Sequence, residues 1–110
     1  MTLISLSEAK EYLRVDTADE DAVIGALLSA AARLCVDVAR LTTERWEDID
    51  SDKCRSERYS MSELTAVRET MRVAILYALG YLYEHREDAD HHALALTLRS
   101  LLFGIREGVV

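Results

Sequence analysis

The residues able to do chemistry gather in three places. His85, His91 and His92 lie close in sequence to Glu84, Glu87, Asp88 and Asp90. Imidazole and carboxylate together suit a metal, but ligation needs ligands that converge from fixed elements. All of these sit on one short polar run, which reads as a solvated helix junction. Cys35 and Cys54 are too far apart for a C-x-x-C metal or redox motif. Cys35 falls in an apolar stripe and reads as a small core residue. Tyr77, Tyr81 and Tyr83 cluster in one stretch. They could stack on bases, but no Lys or Arg surrounds them, so packing in a core or interface is the stronger reading. There is no Gly-rich phosphate loop, nucleophile elbow or Ser/His/Asp order.

One carboxylate pattern points to an enzyme. Glu44-x-x-Glu47 followed by Glu87-x-x-Asp90 is the kind of set with which all-α nucleotide pyrophosphohydrolases hold magnesium. Oxygen ligands on adjacent helical turns can share an ion. Against it, the first pair falls in an irregular stretch, the second at a helix end, and no basic patch stands ready for a phosphate. The residues on their own therefore favour a protein that is not an enzyme and uses no cofactor.

The elements that would position these residues are helices. Half of the 110 residues are hydrophobic, with no Pro and four Gly. That composition suits an all-α fold and a single domain burying about two thirds of its unfolded surface. The formal charge of −7 gives nothing to counterion release on nucleic acid. No stretch reads as a signal peptide or membrane span, and the apolar run 73–83 is too short to cross a bilayer. A reduced, cytosolic setting is expected.

Residues 1–5 and 106–110 read as flexible ends. Ser5 to Glu8 is a capping box opening a short helix to about Leu13. Thr17 and Glu20 make a second box for a helix from about Ala18 to Leu41. Its stripe is Ile24, Leu27, Leu28, Ala31, Leu34, Cys35 and Val38. Residues 42–60 are charged and aperiodic. They read as a long surface loop before the central helix, with Trp46 as either an anchor on the core or a partner contact. Ser60 to Glu63 is a third box. A last helix opens near His91, with Leu94, Leu98, Leu101, Leu102 and Ile105 on one face and Gly104 as its stop. The expectation is a small bundle of about four helices.

The central helix carries the largest functional signal. Leu64, Val67, Met71, Ala74, Ile75, Ala78 and Leu82 share one face. From Val73 to Tyr83, however, every residue is apolar, aromatic or Gly. Val73, Leu76, Gly80 and Tyr83 point away from the first face, and a helix apolar all round has to be buried all round. The candidate interface is Val73, Leu76, Tyr77, Gly80 and Tyr83. Its cover is either the rest of the chain or another subunit.

The order Leu6-Ser7-Glu8-Ala9-Lys10-Glu11-Tyr12-Leu13-Arg14-Val15-Asp16, then Asp19-Glu20-Asp21, then Ile24-x-x-Leu27-Leu28-x-x-Ala31-Ala32 is specific as a set. So are Leu76 to Arg86, ending Tyr83-Glu84-His85-Arg86, and Ser100-Leu101-Leu102 with Arg106. Together they resemble the tailed-phage head–tail connector, or adaptor, family, often called DNA-packaging connectors. The resemblance implies a helical, non-catalytic subunit that assembles into a homo-oligomeric ring. Its implied partners are further copies of itself, the portal protein and a tail-side connector or terminator. Double-stranded DNA would pass through the lumen without specific binding, and no membrane is involved. The implied location is the head–tail junction of the virion, after assembly in the host cytoplasm. The competing readings are the magnesium enzyme above and a small helical adaptor that forms no ring.

Overall fold

The computed structural model describes residues 3–51, 58–88 and 90–105, and these are helical, with no strand among them. Five α-helices run α1 Leu6–Leu13, α2 Asp21–Ala39, α3 Thr43–Asp50, α4 Met61–Glu84 and α5 His91–Leu102, followed by a 3-10 turn at Phe103–Ile105. α2 and α4 form the central pair. α1 and α5 each pack on both of them, and α3 packs on α4.

Start signals are mostly side-chain oxygens that accept orphan amides. Ser5 Oγ takes the Glu8 amide at 3.1 Å, and Ser60 Oγ takes the Glu63 amide at 3.2 Å, where the sequence placed capping boxes. Asp90 Oδ1 takes the Ala93 amide at 3.0 Å and opens α5. The expected box at Thr17 does not form. α2 starts at Asp21, and Glu20 before it makes no side-chain cap bond, its carboxylate being used elsewhere.

Two stop signals were invisible because neither uses glycine. At the end of α1 the Arg14 amide bonds the Glu11 carbonyl (3.1 Å) and the Val15 amide bonds the Lys10 carbonyl (2.9 Å). At the end of α2, Arg40 and Leu41 repeat the pattern on Asp37 and Val36, at 3.2 and 3.1 Å. Both are Schellman closures, which need a left-handed residue, normally glycine. Arginine supplies it here, with φ of 61° at Arg14 and 55° at Arg40.

The stretch 42–60 is not a single long loop. Thr42 Oγ1 accepts the Arg45 amide at 3.2 Å and nucleates α3, so the bundle has five helices rather than about four. Ile49 is fully buried and Trp46 packs half-buried against the core, which favours its reading as an anchor. Two apolar residues three apart are too few to give a readable period. Residues 52–57, with Cys54, lie outside the described residues, as does the expected flexible tail 106–110.

All seven residues assigned to the inner face of α4 are buried, joined by Leu79. α2 contributes Ile24, Leu28, Ala31, Ala32, Cys35 and Ala39. By length and composition α2 is also long and apolar enough to cross a membrane. Of its expected stripe, Ile24, Leu28, Ala31 and Cys35 are buried in the core, while Leu27, Leu34 and Val38 pack half-buried against it. On α5 the buried row is Leu94, Leu98 and Leu102. Leu101 is 39% exposed, because it sits about 60° round the helix from Leu98 at the centre of that row. Among the described residues no polar or charged residue is buried.

The first residues differ most from expectation. Leu3 and Ile4, assigned to a flexible end, are 3% and 1% exposed. The Leu3 amide donates to Asp50 Oδ1 at 2.8 Å, and Arg72 donates to the Leu3 carbonyl at 2.7 Å. The second arm of the same guanidinium bonds Glu8 on α1. Burying two aliphatic side chains contributes at most about 1.5–3 kcal/mol each. The strained closures give a direct check. Arg40→Gly should stabilise the fold by about 0.5–1 kcal/mol, since glycine meets no Cβ penalty at positive φ. Arg40→Val should destabilise it, and urea midpoints at constant m-value distinguish the two.

Candidate functional site

The carboxylates and histidines do not converge. Glu44 and Glu47 lie on α3, Glu87 in the turn after α4, and Asp90 is occupied as the cap of α5. Among the described residues no group of three or more His, Cys, Asp or Glu side chains is placed to hold a metal ion. His85 stacks on Tyr81, with ring centroids 4.3 Å apart, and its Nδ1 lies 3.0 Å from the Tyr81 carbonyl. The Tyr81 hydroxyl in turn accepts the Asp90 amide at 2.9 Å, which fixes the α4–α5 junction. His91 and His92 are exposed. Cys35 is fully buried, and burial pushes its thiol up to about 12, which makes it unreactive at neutral pH.

What the fold does assemble is an apolar surface on the outer side of α4. Of the five candidate interface residues, Val73 is 59% exposed and Tyr77 is 41% exposed. Leu76 is half-buried against the core. Gly80 is covered within the chain, because a Cβ placed there would stand 3.1 Å from Cε2 of Tyr12 on α1. Tyr83 is also engaged. Its hydroxyl donates to Glu20, and the Arg86 guanidinium lies 4.9 Å from its ring centroid. The surplus face thus divides. Its C-terminal half is partly covered by α1 and the residues before α2, and its N-terminal half is open.

The open half extends beyond what the sequence indicated. Val73 and Leu101 flank a hollow of about 360 Å³ together with Glu69 and Thr70. Beside Tyr77, a groove of about 560 Å³ runs between α1 and α4, lined by Tyr12, Gly80, Tyr81 and Tyr83 and edged by Arg14 and Glu84. Tyr12 and Leu101 were missed as members of this surface. Tyr12 stands next to Leu13 on a helix too short for its outer side to be assigned, and Leu101 was given to the inner face of α5.

Two polar clamps hold the cover in place. Arg72 joins the N-terminal segment and α1 to α4, and Glu20 joins the start of α2 to Tyr83 and Arg86, with Arg86 at 3.1 Å. Lys10 adds an ion pair to Asp21 at 2.7 Å. The side chains are one-fifth to one-half exposed, so each pair is screened and contributes modestly. The Arg72 hydrogen bond lowers the Glu8 carboxyl below its ordinary value of 4.5. The Tyr83 hydroxyl, ahead of Arg86, does the same for Glu20, while that carboxylate raises the Tyr83 phenol above its ordinary 10.0. A carboxylate depressed by folding stabilises above its unfolded value and loses that contribution as pH falls through the folded one. Wild-type stability should therefore decline as pH drops below about 4.5. Glu8→Gln should be less stable than wild type at pH 7, with the gap narrowing toward pH 3. Urea titrations at both values check this.

A family model described as phage gp6-like head-tail connector protein matches residues 3–107. No curated protein and no solved structure matches the chain. The matched span begins at the buried Leu3 and runs past the 3-10 turn, so it takes in all five helices and both clamps. It is a family of structural phage proteins rather than enzymes. The chain belongs to the phage gp6-like head-tail connector family.

Proposed function

We propose that this connector is the subunit of a homo-oligomeric ring that docks on the portal of a filled capsid and joins it to the tail. A tail-side connector or terminator is its second protein partner. The genome crosses the lumen without being held, and the net charge of −7 suits a channel that must not retain DNA. In the host cytoplasm the subunit is an assembly intermediate, and in the virion it belongs to the head–tail junction.

The observation that carries this reading is the open face of α4. Val73 and Tyr77 are large apolar residues left more than 40% exposed on the best-packed helix of the chain. An apolar patch of this kind marks a protein contact. Rings larger than dimers are built from two different complementary patches, so the expected contact is head-to-tail. Gly80 and Tyr83 support that contact indirectly, since α1 already covers the first and Glu20 holds the second.

The test is particle size by light scattering and negative-stain images, for the protein alone and mixed with purified portal. The wild type should give rings, free or seated on portal. The double variant Val73→Asp, Tyr77→Asp should stay folded, because both sites are exposed, and should not enter rings. A wild type that stays monomeric and ignores portal would favour the ring-free adaptor. Magnesium-dependent release of pyrophosphate from nucleotides, lost in Glu47→Gln, would favour the enzyme.

A further inference from the structure

A second open surface lies on the opposite side of the subunit. It is a groove of about 580 Å³ between α2 and the α4–α5 junction. On α2 it is lined by Ala26, Ser29, Ala30 and Leu34, and beyond α2 by Leu82 and His91. Ala26, Ala30, Arg33 and Asp37 follow one another at three- and four-residue steps along the outer side of α2. Small residues along such a row leave room for a neighbouring side chain to approach the backbone.

The position of this groove relative to the open apolar patch follows from helix geometry. Leu82 and Val73 are nine residues apart on α4, and at about 100° per residue they point in opposite directions. One patch presents large exposed apolar side chains, Val73 and Leu101 at the edge of the shallow hollow with Tyr77 beside them. The other is the groove, where Ala26, Ser29 and Ala30 leave room on α2. Patches on opposite sides of a subunit cannot both be satisfied in a two-fold pair, but they suit a head-to-tail series.

Charge supports the same pairing. Arg33 stands at the groove and Glu69 at the hollow beside Val73, and neither is in an ion pair within its own subunit among the described residues. The groove also carries Asp37 and His91. Its rim is therefore mixed in sign, and an Arg33–Glu69 contact would fix register rather than supply bulk attraction. We propose that the exposed Val73 and Leu101 side chains of one copy seat in the α2 groove of the next, with Glu69 meeting Arg33. This rests on the ring reading and names the two surfaces that close it.

Engineered cysteines test the pairing. In a Cys54→Ser background the only native thiol is the buried Cys35. Val73→Cys and Ala30→Cys are introduced together, and each alone, into protein assembled as above and then oxidised. The double variant should give a ladder of linked dimers, trimers and higher species, while each single variant stays unlinked. Arg33→Glu and Glu69→Arg should each weaken assembly up to about fivefold, and the two together should recover it. Rings in negative stain without a ladder would overturn the pairing and leave the ring reading standing. A linked dimer from Val73→Cys alone would show this patch meeting its own copy, and would also overturn it. Absence of both rings and ladder would remove the ring reading and the pairing with it.

Discussion

α4 has no charged side chain anywhere on its circumference between Val73 and Tyr83, so more than one of its sides calls for cover. The rest of the architecture supplies that cover over all but the outer side at Val73 and Tyr77. α2 lies along its inner face and α5 packs against both. α1 is too short to be stable alone, having eight residues of which only Ala9 is fully buried, yet it carries Tyr12 across Gly80. Glycine at that point lets the ring of Tyr12 approach the helix closely. A Cβ there would already be tight at 3.1 Å.

The cover is held by polar contacts at its edges, while the interior stays apolar. Arg72 is the clearest case. One guanidinium ties the Leu3 carbonyl and the Glu8 carboxylate to the middle of α4, and Asp50 at the end of α3 takes the Leu3 amide. Three elements distant in sequence thereby meet at one short segment. Individually such half-exposed pairs are weak. Their value lies in direction, since they settle where α1 lies once hydrophobic burial has settled that it must lie somewhere on α4.

Much of the fold was legible in sequence, because three- and four-residue periodicity reports burial directly. The seven residues assigned to the inner face of α4 are all buried, and the caps at Ser5 and Ser60 form as their spacing requires. What was not legible depends on contacts distant in sequence. Arg14 and Arg40 close helices in a conformation that glycine normally signals. α3 is held by Ile49 and Trp46, two residues that show no period by themselves. Glu20 read as half of a capping box, but the fold brings Tyr83 and Arg86 to it and its carboxylate turns to them. The candidate surface was legible to the same extent. Periodicity located the surplus face, and only the packing of α1 on Gly80 and the bond from Tyr83 to Glu20 showed that these two are partly covered while Val73 and Tyr77 are open.

That division bears on how the protein can assemble. A subunit with no buried polar or charged residue among those described, and whose buried Asp21 Oδ1 is paired with Lys10, does not depend on a partner to satisfy its interior. It can fold first and associate afterwards, using surfaces that exclude water without completing the core. The residues left open are consistent with such an order. Val73, Tyr77 and Leu101 are large enough to bury useful area in a contact, yet they lie outside the rows that hold the helices together. An acidic chain also repels its own copies at long range, and screening confines that repulsion to about 10 Å at ordinary salt. In the proposed ring, association through apolar patches would be short-ranged and weak for free subunits, and stronger where several are gathered on one surface, because each added neighbour engages without a fresh loss of translational freedom.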